Sequence, residues 1–166
     1  MLFPLHFTVG LFGGVEAEIG AAPMASIPLP VPPAFRVSWR DGWGLDVDTS
    51  LRLDDRYAMT ARLNLVWTPA PTATWVPYIH AGVAYGNRDV PPREAGGRLG
   101  VGPNLGAGLE WWVAPNVALD TLVDADVLWS TPLDQTDWVR TVDVGARLGL
   151  RFDLPAAKRP YAPPTR

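Results

Sequence analysis

The side chains with chemistry to offer in this chain are carboxylates, guanidiniums and two imidazoles. Carboxylates recur two apart, as Glu16 and Glu18, Asp46 and Asp48, and Asp124 and Asp126. Pairs of this kind can share acid–base work or hold a divalent cation. His6 and His80 are the candidate general bases, and Ser26, Ser38, Ser50 and Ser130 the candidate nucleophiles. No serine is close to either histidine in sequence. Cysteine is absent, which excludes disulfides, thiolate metal sites and a thiol nucleophile. Two-residue spacing is also what any strand with one polar face produces, so the carboxylate pairs carry no catalytic message alone. The expectation is no enzyme, no cofactor and no metal, with His80 a satisfied interior residue.

The elements that must position these groups are strands. The 166 residues make one domain's worth of chain, and 18 Pro with 16 Gly exclude a helical bundle. A formal charge of −3 offers no basic footprint for nucleic acid. Apolar residues alternate with polar or small ones throughout. From 98 to 112, Leu99, Val101, Pro103, Leu105, Ala107, Leu109 and Trp111 oppose Arg98, Asn104, Glu110, Trp112 and four glycines. From 138 to 152, Val142, Val144, Ala146, Leu148, Leu150 and Phe152 oppose Asp143, Gly145, Arg147, Gly149 and Arg151. Similar alternation over 7–17, 43–53, 57–67, 77–85 and 117–129, with a Pro-rich stretch ending Phe35, Val37, Trp39, predicts eight strands in an up-and-down meander.

The polar face is too rich in glycine for a solvated surface, and the only lysine, Lys158, lies in the C-terminal tail. Glycines mixed with paired charges suit the cramped interior of an eight-stranded barrel, which leaves the apolar face to lipid. Arginine at Leu105 should therefore be costly, and aspartate at Asn104 cheap. The aromatic residues argue the same way. Trp39, Trp43, Trp67, Trp75 and Trp111 share the outward parity and flank alternate connections, so they should line one rim. Tyr57, Tyr85, Trp129 and Trp138 should line the other, giving the two interfacial girdles of a membrane barrel.

The segments WVPYIHAGVAYG (75–86) and NLGAGLEWWVAPNVALD (104–120) resemble the fifth strand and the sixth-to-seventh hairpin of small OmpA-like (OmpA/OmpX-type) outer-membrane β-barrels. The likeness covers about residues 5–152. It implies an eight-stranded antiparallel transmembrane barrel (1–152) in the bacterial outer membrane and a Pro-rich, disordered periplasmic tail (153–166). It also implies short turns in the periplasm, and longer loops 20–33, 86–97 and 130–137 outside. A leader would have been removed before the first residue. The strand 143–152 resembles the assembly signal of such barrels, with Leu148 and Leu150 where aromatics are usual.

On this reading the lumen holds Glu16, Arg36, Asp46, Asp48, Arg52, Arg62, His80, Glu110, Asp120, Asp124, Asp126, Asp143, Arg147 and Arg151. Isolated charges there would be costly, so a hydrogen-bonded network that plugs the lumen is expected. The alternative is a narrow cation-leaning path, because the acids outnumber the arginines. The expected partners are membrane lipids and, through the outer loops or the segment Ile27, Pro28, Leu29, Pro30, Val31, Pro32, another envelope protein. The prolines there share one parity and would delete the hydrogen-bond ladder on one side only.

Overall fold

The structure, a computed structural model, describes residues 6–19, 24–26, 34–39, 41–52, 58–71, 73–88, 98–132 and 138–154. Among these residues nine strands form: β1 (His6–Ile19), β2 (Met24–Ser26), β3 (Ala34–Ser38), β4 (Trp43–Arg52), β5 (Ala58–Trp67), β6 (Trp75–Arg88), β7 (Arg98–Ala114), β8 (Val117–Pro132) and β9 (Val139–Asp153). Each pairs antiparallel with its successor from β3 onward, and β1 pairs with β3. The sheet closes where β1 meets β9, in continuous register from Thr8↔Asp153 to Ile19↔Val142. The result is the expected closed eight-stranded antiparallel barrel, with β2 as a short extra piece on the far half of β1, at Glu16↔Ser26 to Glu18↔Met24. The segment 27–32 proposed for docking, Tyr57, and the tail from 155 onward lie outside the described residues.

Two local features shape the wall. At the β3–β4 turn, the Trp39 N–H donates to the Trp43 carbonyl at 2.8 Å and the Gly42 N–H to the Trp39 carbonyl at 3.1 Å. Gly42 has φ +88°, and a Cβ there would strike the Thr68 carbonyl of the next connection, so glycine is required twice over. The second feature is a bulge between Trp112 and Ala114, where the β7–β8 register shifts just before the turn.

The alternation of the sequence becomes a difference of sides. Every barrel strand presents large apolar groups outward, among them Leu11, Phe35, Leu45, Leu63, Ile79, Leu105, Val123 and Leu148. Leu105 is 64% exposed and Leu148 59%. Soluble monomers rarely expose contiguous apolar patches beyond a few hundred Å², and here the patch runs around the whole wall. The opposite parity holds buried Arg, Asp, Asn and Ser. The β1–β9 pairing closes the ring, so ladder hydrogen bonds are made within the wall, as a membrane-spanning sheet requires.

Candidate functional site: the lumen network

Cross-strand register puts the tryptophans in pairs. Trp43 lies opposite Trp67 with ring centroids 6.4 Å apart, and Trp75 opposite Trp111, stacked at 4.9 Å. Trp39, half-buried, stands beside them in the β3–β4 turn. Toward the other end, Tyr85 and Trp129 both lie opposite Val101, and Trp138 is exposed. From Trp111 to Val101 along β7, ten residues at about 3.3 Å each and a tilt of about 40° span about 25 Å, the height of a lipid-facing apolar band.

Inside, the charged groups fall into two sets. In the set nearer the tryptophan-rich rim, Arg36 on β3 donates through Nε and Nη2 to Asp46 Oδ2, at 2.9 and 2.7 Å. Its Nη1 crosses the lumen to Glu110 Oε1 on β7, at 2.5 Å. Arg151 on β9 donates through Nε to Asp120 Oδ2 at 2.8 Å and lies 3.3 Å from Glu110 and 3.6 Å from Asp46. The Tyr78 hydroxyl donates to Asp120 Oδ1 at 2.8 Å, and the Arg36 guanidinium carbon sits 4.3 Å from the centre of the Tyr78 ring.

In the second set, Arg62 on β5 reaches across to Asp126 on β8, through Nε at 2.9 Å and Nη2 at 2.6 Å. Its Nη1 donates to Asp48 Oδ1 at 3.2 Å and Ser50 Oγ at 3.0 Å. Arg147 on β9 donates to Asp48 Oδ1 at 2.8 Å and also pairs with Asp124. Asn104 donates to Asp126 Oδ1 at 2.6 Å. An aspartate at 104 would replace that donor with a carboxylate facing Asp126. Each set thus joins two guanidiniums to three carboxylates, and all of these side chains are buried. Their mutual attraction in a low-dielectric interior offsets a large desolvation cost only because each charge has several partners.

Among the described residues, no hydrogen bond joins His80 to either set. It is 2% exposed, lies edge-on to Tyr78 at 6.4 Å, and its Nε2 abuts the place a Cβ would take at Gly106. Asp143 is buried opposite Asp126 on the neighbouring strand. The backbones of Glu16 and Arg52 are placed in β1 and β4, and their side chains are outside the described set. Asp124 and Asp126 both face Arg62, and among the described residues no group of three or more His, Cys, Asp or Glu could hold a metal ion.

The lumen also carries apolar filling beside its charged groups. Val76, Trp112 and Ala118 form one buried cluster, and Val66, Tyr78 and Leu122 another. Phe12 also takes the inward parity, with the Arg151 guanidinium 5.3 Å from its ring centre. Even numbering marks Phe12, Tyr78 and Trp112 as inward, and that was the available signal.

No protein-family model and no curated protein matches the chain. Solved structures do. The N-terminal β-barrel domain of Pseudomonas aeruginosa OprF is similar over 90% of this chain and 97% of that one, with a TM-score of 0.66 and 17% identity. Neisserial surface protein A (NspA) gives 88% and 96%, TM-score 0.69 and 13% identity. Ail, the attachment invasion locus protein of Yersinia pestis, gives 93% and 100%, TM-score 0.58 and 14% identity. The fold is therefore that of the small OmpA/OmpX-type outer-membrane β-barrels.

Proposed function

We propose that this chain is an integral protein of the bacterial outer membrane, with its outer face in lipid and its lumen closed by the two charge sets. Its role on this reading is structural or docking: a rigid wall that presents its longer connections, and the segment 27–32, to another envelope protein. The observation that carries closure is the set of cross-lumen bonds, Arg36 to Glu110, Arg62 to Asp126 and Arg147 to Asp48, which tie facing walls together. An interior of eight strands is small enough for side chains to fill, and Trp112, Tyr78 and Phe12 add bulk beside the charged groups. A non-enzymatic role is supported by the burial of His80, whose Nε2 has no hydroxyl partner among the described residues.

One observation favours a second reading, a narrow cation-leaning path: six carboxylates face four guanidiniums across the two sets. Single-channel recording of detergent-refolded protein in planar bilayers separates the two, with heat-modifiable gel mobility as the folding check. Silent bilayers from a heat-shifting protein are the expected result. Steady cation-selective steps, reduced by Asp124→Asn with Asp126→Asn, would replace closure with conduction.

A further inference from the structure

The strands place one charged residue on the outward parity, Arg140 on β9, whose side chain is exposed. Every other charged position on the described strands takes the lumen-facing parity. Cross-strand register fixes the level of Arg140. Ala61, Tyr85, Val101, Trp129 and Arg140, on β5 to β9, form one row in which each is the partner of the next. Tyr85 and Trp129 are exposed in that row, and so is Trp138, two residues before Arg140.

Val101, in the same row, closes the apolar band that begins at Trp111, about 25 Å away along the wall. Arg140 therefore stands at the border where hydrocarbon gives way to headgroups. An arginine is far cheaper there than at mid-depth, because its stem lies on the apolar wall while its head reaches the polar layer. Inside the barrel the guanidiniums Arg36, Arg62, Arg147 and Arg151 are matched by carboxylates of the chain. On the outer wall the described strands offer Arg140 aromatic and apolar neighbours, Trp129 across from it and Val142 next along its own face. The headgroup layer supplies the missing class of partner. A guanidinium fork matches a phosphate, and indoles at the same level set an apolar body in the chain region with the N–H toward the headgroups.

We propose that Arg140, flanked by Trp129 and Trp138, forms a site on the outer wall for the phosphate of an anionic lipid headgroup. Outward parity and depth together select a lipid over a phosphate dissolved in water. The site rests on the reading that the outer face lies in lipid. Asp134 and Asp137, in the connection that precedes β9, are the competing partners for the guanidinium.

The test is native mass spectrometry of the full chain refolded in zwitterionic detergent, titrated with phosphatidylglycerol or with phosphatidylcholine of the same acyl chains. Saturable retention of phosphatidylglycerol over phosphatidylcholine is expected, weakened about tenfold by Arg140→Gln, the loss of one charge-assisted hydrogen bond. Arg140→Lys should keep part of the preference, which separates charge from fold, and heat-modifiable gel mobility checks that each variant is folded. Inorganic pyrophosphate in excess should leave the bound lipid in place. Equal retention of the two lipids would assign Arg140 to the chain's own acidic connection and overturn the proposal. So would a preference that survives Arg140→Gln, or displacement by pyrophosphate, which would make the ligand a soluble anion. Insertion of the parent into phosphatidylcholine vesicles tests the underlying reading separately. A chain that inserts without lipid preference loses the site alone, and one that does not insert loses both.

Discussion

Replacing Leu105 with arginine tests which side of the wall meets lipid. Leu105 lies on β7, six residues from Trp111 and four from Val101. At about 2.5 Å of height per residue for a strand tilted about 40°, it sits about 15 Å above one aromatic rim and about 10 Å below the other. Leu99 occupies the same strand and the same parity, two residues past Val101, at the edge of the band. Arginine on a lipid face costs about 2–4 kcal/mol at mid-depth and about 0–1 kcal/mol near an interface. Leu105→Arg should therefore exceed Leu99→Arg by about 2–3 kcal/mol, roughly 30- to 150-fold in the folding constant. The assay is reversible denaturant titration in phosphatidylcholine vesicles, read by tryptophan fluorescence and gel mobility, with Leu105→Met as the volume-conserving control. Equal costs at 105 and 99, or a cost below about 1 kcal/mol at 105, would refute the depth argument and the sidedness with it.

The lumen makes two further predictions in the same titration. Arg62→Met takes the guanidinium from Asp126 and leaves Asp48 to Arg147 alone, and should destabilise by about 3–5 kcal/mol, while adding Asp126→Leu should recover part of that loss; strict additivity of the two changes would dissolve the network. Tyr78→Phe keeps the ring beneath Arg36 and removes only the hydroxyl that donates to Asp120. It should cost about 1–3 kcal/mol, less than Tyr78→Ala, and an unchanged stability would show that the bond contributes nothing.

Fold and sidedness were legible because a barrel wall is governed by a period of two. Once the glycines and arginines are seen to share a parity, their face cannot be the solvated one. The tryptophan rim was legible for the same reason, since parity and alternate turns both constrain it. Less of the lumen could be read. Which arginine meets which acid across the lumen depends on register carried through two or three intervening strands, and Arg36 to Glu110 is a contact across 74 residues of sequence. Tyr78 and Trp112 stand on the even, inward parity, but parity alone does not show that they pack with Val66 and Leu122, and with Val76 and Ala118, inside the lumen. The bulge at Trp112 and Ala114 had no signal beyond the turn that follows it.

Register explains how so small a lumen holds such large groups. Tyr78 lies opposite Gly108, His80 opposite Gly106, Asn64 opposite Gly82, Phe12 opposite Gly149 and Arg147 opposite Gly14. A Cβ at Gly108 would meet the Tyr78 ring, at Gly106 the His80 ring, and at Gly149 the Phe12 ring. A glycine on one strand is thus the seat over which its neighbour's side chain lies. Interior volume is conserved pair by pair, not strand by strand. The same rule governs reach: Arg147, with Gly14 on one flank, extends across to Asp48 on β4 rather than folding along its own strand. Glycine on the inward parity therefore marks where a long residue next door can span the lumen. That is why the polar face carries glycine and arginine together, and why a glycine-rich wall can still be a closed one.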